Sequence, residues 1–272
     1  METKDLIIGC FMGTNIDAVN IWSNSIKQSG FSGDTVLILI NSSKQFEDQI
    51  RNKNLIIVHK KLIEDRVDIY SQRFYHIYQY LTLKNKYRYV ITTDVTDVIF
   101  QKDPSVFVHN NILDNKLILN GESILIKDES WNYENIVSAY GSDKAQTILS
   151  NEVKNVGVIA GNQKQVKDLC EHIYNMAKIL NSRPSDQAVL NMSKISNSIV
   201  LNIDDGWVCN SGVIFCPQVT NNLYEKLLTS PPYVRDGILY NSLDKEVCIV
   251  HQYNRNEEFL KNTCQKYLDI PI

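Results

Sequence analysis

The sequence lacks any apolar run approaching the ~20 residues needed to cross a bilayer, so no integral membrane segment is expected. It also lacks an excess of positive charge. There are 28 Lys and Arg against 31 Asp and Glu, a formal net charge of −3 at pH 7. A dedicated nucleic-acid binder carries a basic stripe, and the local basic cluster here is only Lys84, Lys86 and Arg88. No nucleic-acid partner is expected. Close cysteine pairs are missing too: Cys10, Cys170, Cys209, Cys216, Cys248 and Cys264 are scattered, with no CxxC. That spacing speaks against a zinc site and fits buried, reduced thiols. Neither GxGxxG nor GxxxxGK[ST] occurs, which leaves dinucleotide and P-loop chemistry without a motif. Residues Met1 to Asp5 and the short apolar stretch after them do not resemble a secretory signal, so a cytoplasmic protein is expected.

What is present is an ordinary globular composition, 43% hydrophobic and 22% charged over 272 residues. Short apolar runs alternate with helical patterns. Leu6–Cys10, Val36–Ile40, Leu55–Val58 and Tyr89–Thr93 are apolar almost throughout, the pattern of strands buried on both faces of a parallel sheet. Arg73–Leu83 and Gln163–Leu180 read as helices, as do shorter stretches at Asp186–Met192 and Glu257–Tyr267. Lys116–Leu119 and Ser123–Ile126 read as two strands joined by an Asn120-Gly121 turn. Val156–Ala160, Ile199–Leu201, Val213–Phe215 and Val247–Val250 complete the expected strands. The alternation predicts a doubly wound α/β fold. With no linker or repeat, it predicts one domain over residues 1–272, with a nucleotide-binding half to about residue 110 and a substrate half from about 111.

Tyr89-Val90-Ile91-Thr92-Thr93-Asp94-Val95-Thr96-Asp97 is the most informative stretch. An apolar strand runs straight into two aspartates. Along a continuing strand, residues i and i+3 face opposite ways, whereas a tight turn brings them within ~7 Å. Two converging carboxylates suit a hard or borderline cation such as Mg²⁺ or Mn²⁺. Ligands of open α/β sheets bind beyond such strand ends. The other reading is that Asp94 only initiates a turn.

This segment resembles the DxD region of the GT-A-fold glycosyltransferases, and Asp97 to Pro104 resembles the stretch from the second aspartate to Asp-Pro. The spacing is Asp-x-x-Asp rather than Asp-x-Asp, so Asp94 meets the metal directly, through water, or touches the sugar instead. Three further segments resemble the family in the same order. Asn155-Val156-Gly157 is similar to its N-x-G strand start, Ser185-Asp186-Gln187 to its Asp-Gln helix start, and Val250-His251 to its late strand-end histidine. Cys10, Phe11, Met12 and Asn15 resemble the base-and-ribose pocket at the end of the first strand.

The resemblance implies a GT-A-like sheet, mostly parallel, with helices on both faces and a smaller antiparallel element. It implies a metal held by Asp94, Asp97 and His251, with Mn²⁺ favoured by the imidazole and Mg²⁺ the other candidate. It further implies a nucleotide-sugar donor, UDP-linked by default, contacted by Arg73, Asp94, Asn155 and Gly157, and a glycan or other hydroxyl acceptor. Asp186 is the candidate base or sugar-hydroxyl acceptor, with Gln187 beside it. Arg73 and Trp207 have plainer readings, a solvated helix charge and a core-capping ring. Two rival functions stand beside the glycosyltransferase. A sugar-nucleotide nucleotidyltransferase would want a basic Gly-rich loop after the first strand, and Gly9 to Gly13 has no Lys or Arg. The other rival is a non-catalytic glycan- or nucleotide-binding protein.

Overall fold

A computed structural model describes residues 4–52, 54–63, 67–84, 86–111, 116–180, 184–214 and 232–268. In chain order the elements begin β1 (Lys4–Phe11), α1 (Ile16–Gln28), β2 (Asp34–Ile40), α2 (Lys44–Asp48) and β3 (Ile56–Lys60). Next come α3 (Ile69–Leu83), β4 (Tyr87–Thr93), β5 (Val98–Phe100), α4 (Pro104–Asn111) and β6 (Leu117–Leu125). These are followed by α5 (Ser130–Tyr140), α6 (Ser142–Gln146), β7 (Glu152–Asn162), α7 (Gln163–Ile179) and α8 (Asp186–Met192). The chain continues through β8 (Ser198–Leu201), β9 (Val208–Asn210), α9 (Ser211–Ile214), β10 (Tyr233–Arg235) and β11 (Ile238–Tyr240). It closes with β12 (Ile249–His251) and α10 (Glu257–Leu268).

Seven strands form the central sheet in the order β3-β2-β1-β4-β7-β6-β8. β1, β2, β3 and β4 pair in parallel, as do β6 and β8, while β7 runs antiparallel to both its neighbours. The apolar runs explain the layering. Leu6 and Ile8 of β1 join the core beneath α3 and α7 with Phe74, Ile77 and Ile173. Ile7, between them, joins the opposite core with Trp22, Ile26 and Trp207. Side chains alternate across a strand, so a strand covered on both faces must be apolar at every position. A second sheet, β5-β12-β9, lies beside the first, and β10 and β11 form an antiparallel pair.

Two local expectations are corrected. Asn120-Gly121 is not a hairpin turn but the middle of β6, where both residues pair with β7. Tertiary contacts override the turn propensity here. A Cβ on Gly121 would lie 2.3 Å from Glu152 Oε1 and 2.8 Å from Val200 Cγ1, so a glycine is needed between its neighbours. The expected strand at Val213–Phe215 is also absent: Val213 and Ile214 belong to α9, and Phe215 lies outside the described residues. No helix among the described residues is long and apolar enough to cross a membrane.

Candidate functional site

Three strand ends meet where the two sheets adjoin. Asp94 follows β4, and its amide donates to the Gly157 carbonyl of β7 at 2.9 Å. Asp97 precedes β5, and its carbonyl accepts from the Gln252 amide just after β12 at 2.6 Å. His251 ends β12, paired with Val98 of β5 on one side and Asn210 of β9 on the other. Buried Val95 anchors the turn between the two aspartates. One donor atom from each of Asp94, Asp97 and His251 lies within 4.8 Å of the others, a candidate metal-binding group. His251 Nε2 is 3.6 Å from Asp94 Oδ2 and 3.8 Å from Asp97 Oδ1. A hard cation ~2.1 Å from each ligand tolerates separations up to about 4.2 Å, so the two His251 distances are compatible with one ion.

The imidazole is held for that role. Its Nδ1 is 2.9 Å from Asn210 Oδ1. An amide oxygen only accepts, so Nδ1 carries a proton, and Nε2 is the nitrogen that faces the aspartates and could ligate a cation. Asn210 and Asn120 exchange amide hydrogen bonds at 3.0 and 3.1 Å, and Asn210 Nδ2 also donates to the Gly121 carbonyl at 3.2 Å. Gly157 makes room for the ring: a Cβ there would sit 2.5 Å from His251 Cε1 and 2.7 Å from Nε2.

Arg73 on α3 ties the cluster to α8. Its guanidinium pairs with Asp94 through Nη1 and reaches Asp186 Oδ2 through Nη2 at 3.2 Å. Burial works to neutralise Asp94, but Arg73 and His251 outweigh it and hold the carboxyl below its ordinary value. Burial prevails at Asp97, whose carboxyl is pushed up despite His251. Burial also pulls the His251 imidazole down, but Asp97 and Asp94 more than compensate and it ends above its ordinary value. Asp186 is raised to about 6, chiefly by burial against the pull of Arg73.

A cavity of about 530 Å³ opens over these groups. Arg73, Asp94, Asp97, Asn155, Asp186, Gln187 and His251 line it together with Glu122, Glu129, Trp131, Asn132 and Arg255. Two clefts of larger volume lie elsewhere and contain none of these side chains. Gln187 donates to Asn132 Oδ1 at 2.8 Å and to Glu122 Oε1 at 3.5 Å. Asn155 donates to Glu122 at 2.6 Å and accepts from the Gly157 amide at 2.7 Å.

No protein-family model matches the chain, and no curated protein matches its sequence. Solved structures do match its fold. The bifunctional glycosyltransferase WbbM superposes with a TM-score of 0.63 at 15% identity over 97% of this chain and 50% of its own. The galactosyltransferase LgtC, bound to donor and acceptor sugar analogs, gives 0.57 at 13% identity over 98% of this chain and 97% of LgtC. GlyE of Streptococcus pneumoniae gives 0.58 at 14% identity over 96% of this chain and 60% of GlyE. The chain therefore spans half of WbbM but nearly all of LgtC. The fold is GT-A-like.

Within the GT-A-like frame, most residues expected at the site converge on one cavity. Cys10, Phe11, Met12 and Asn15 do not line it. Cys10 Sγ contacts the Arg73 carbonyl at 3.6 Å, Phe11 is buried and stacks on Phe46, Met12 is exposed, and Asn15 caps α1 by accepting from the Ala18 amide. Trp207 is fully buried and stacked on Phe107, the core role. The sequence reading missed Glu122, whose carboxyl burial lifts to about 7, and the Asn120–Asn210 pair. Once β6 is seen as one strand, the signal is plain. Asn120 and Glu122, two apart, share a face, and two polar residues inside an apolar strand are buried for a reason.

Proposed function

We propose that this chain transfers a glycosyl group from a nucleoside-diphosphate sugar, UDP-linked in our preferred reading, to a hydroxyl of a glycan or other acceptor. A divalent cation, Mn²⁺ before Mg²⁺, would be held by Asp94, Asp97 and His251. The observation that carries this reading is the convergence of two carboxylates and the His251 Nε2 at one point of a substrate-sized cavity. The donor set of two carboxylates and one imidazole suits Mn²⁺ better than Ca²⁺ or Mg²⁺. The likeness to WbbM, LgtC and GlyE supports the same chemistry. We take the chain as one domain, since strands from both halves share the central sheet. The described cysteines are free thiols, which accords with a reducing cytoplasm.

When bound, the cation supplies charge neutralisation for the departing nucleoside diphosphate. The protein's own groups do the rest. Arg73 keeps Asp94 ionised and shares its charge with Asp186. Asp186, at about 6, is largely a carboxylate at neutral pH. It accepts a hydroxyl proton if the reaction inverts; if it retains, Asp186 or Gln187 stabilises the oxocarbenium-like state. Gln187, tied to Asn132 and Glu122, is held at the cavity wall beside it.

The test is a thermal-shift panel of UDP, GDP, ADP and CMP, each with Mn²⁺ or EDTA. A nucleotide at 100 times its Kd adds ~2.7 kcal/mol of stability. Stabilisation by UDP that requires Mn²⁺ and disappears in Asp97→Ala is expected. Metal-independent binding, or an unchanged response in Asp97→Ala, would refute the site. Release of pyrophosphate rather than UDP would favour the nucleotidyltransferase.

A further inference from the structure

The cavity has one wall that the donor chemistry does not use. Trp131 stands in the first turn of α5 and is 47% exposed where it lines the cavity. It is the one tryptophan of three with an accessible ring: Trp22 and Trp207 are 0% exposed. Its indole presents apolar area within the cavity that a bound ligand can cover. Its backbone is fixed. Glu129 caps α5 by accepting from the Trp131 amide at 3.2 Å and the Asn132 amide at 2.7 Å. Asn132 in turn accepts from Gln187 at 2.8 Å, which links the wall to α8 and Asp186. A preorganised aromatic face beside amide and carboxyl groups matches a pyranose, which has an apolar C–H face and a rim of hydroxyls.

The charge around it narrows the class. Beside Trp131 the described lining is Glu122, Glu129, Asn132 and Gln187, with no cation among them. Of the cavity's two described guanidiniums, Arg73 is already paired with Asp94 and Asp186, and the charge of Arg255 acts on Asp97. An anionic sugar would meet carboxylates there without a counter-charge. Glu122, raised to about 7 by burial, is protonated in a large fraction near neutral pH and able to donate as well as accept.

We infer that Trp131 is the stacking platform of an acceptor subsite that takes a neutral saccharide and rejects uronate- or sialate-bearing ones. This rests on the glycosyltransferase reading above and names its acceptor class. Sugar covers the indole, and the hydroxyl to be glycosylated points toward Asp186 and the donor.

The test uses the accessibility of that one ring. Acrylamide should quench an exposed tryptophan emission in the full chain with UDP and Mn²⁺, and Trp131→Phe should remove that emission. Neutral disaccharides (lactose, maltose, cellobiose) at millimolar concentration should include at least one that saturably protects it, while a hyaluronan disaccharide should not. With the protecting sugar as acceptor, Trp131→Ala should raise its KM about tenfold, and Trp131→Phe should restore most of the loss. Protection by none of the neutral sugars, equal protection by the acidic one, or an unchanged acceptor KM in Trp131→Ala would overturn the inference. Thermal stabilisation by UDP with Mn²⁺ separates the failures. If it persists in wild type and Trp131→Ala, only the acceptor assignment is lost. If it is missing in both, the glycosyltransferase reading fails and this inference with it.

Discussion

Asn210→Ala tests whether the buried amide pair sets the chemistry of His251. Asn210 is 3% exposed and takes part in four hydrogen bonds. Its Oδ1 takes the His251 Nδ1 proton at 2.9 Å and one from Asn120 at 3.0 Å, and its Nδ2 donates to Asn120 at 3.1 Å and to Gly121 at 3.2 Å. The variant strands both ends of the Asn120 amide and the Nδ1 proton in a dry interior. Each unsatisfied buried group costs ~1–3 kcal/mol, partly recovered if water enters, so a loss of ~3 kcal/mol is expected. At ~2–4 °C per kcal/mol for a chain of this size, the melting midpoint falls by roughly 6–12 °C. Freed of its partner, the ring loses its tautomer and orientation, and Mn²⁺ affinity falls 10–100-fold, as for other second-layer ligands. Calorimetry gives the first number, and electron paramagnetic resonance of free Mn²⁺ gives the second. Asn210→Asp separates the two effects. It keeps an acceptor for Nδ1 but loses the donors to Asn120 and Gly121, so it should lose stability while retaining Mn²⁺ affinity. Equal Mn²⁺ affinity in wild type and Asn210→Ala would refute the reasoning.

Gly157→Ala puts a methyl 2.5 Å from the His251 ring. Overpacking of this kind costs ~1–3 kcal/mol, and the displaced ring should also weaken Mn²⁺-dependent thermal stabilisation. An alanine variant that melts and binds Mn²⁺ like wild type would show that the ring has slack. Glu122 titrates at about 7 in the fold against 4.5 as a free side chain, so the native state holds a proton the unfolded chain gives up between those values. Native stability therefore falls by ~3 kcal/mol as pH rises across that window. Glu122→Gln should flatten this part of a urea-midpoint profile, and an unchanged slope would assign it elsewhere. Arg73→Met leaves Asp94 and Asp186 buried without their shared cation, at a cost of ~3–5 kcal/mol near pH 7. Asp186, already raised by burial, then titrates higher still, so the deficit should shrink as pH falls toward 5. Denaturant midpoints at the two pH values check the sign.

The sheet was readable because β1, β2 and β4 carry the unbroken apolar runs Leu6–Cys10, Val36–Ile40 and Tyr89–Ile91, the pattern of strands buried on both faces. The metal-like group was readable because its aspartates sit together at one strand end. What escaped depended on contacts between distant segments. Asn120-Gly121 has the composition of a turn, yet Gly121 fits between Glu152 and Val200, which only the folded sheet brings together. Glu122 and Asn210 look like ordinary polar residues until β6, β7 and β9 surround them, and burial rather than residue type gives them their roles. Arg73 was half-visible: a helix-face arginine before a strand has no evident partner until α8 brings Asp186 to its other nitrogen.

The placement of His251 says why one site needs the whole chain. β4 and β7 of the large sheet supply Asp94 and the Gly157 space, while β5, β9 and β12 of the small sheet supply Asp97, Asn210 and His251. β12 joins β5 across a very long loop of sequence, and the Gln252 amide closes that junction on the Asp97 carbonyl. Closing such a loop costs entropy that only the cores on both sides of the junction offset. Ile99 and Val250 are fully buried together in one of those cores, with Tyr253, Phe259 and Tyr267 packed around them. The proposed cation ligands are thus set by the packing of α10 and β12 as much as by the aspartate turn.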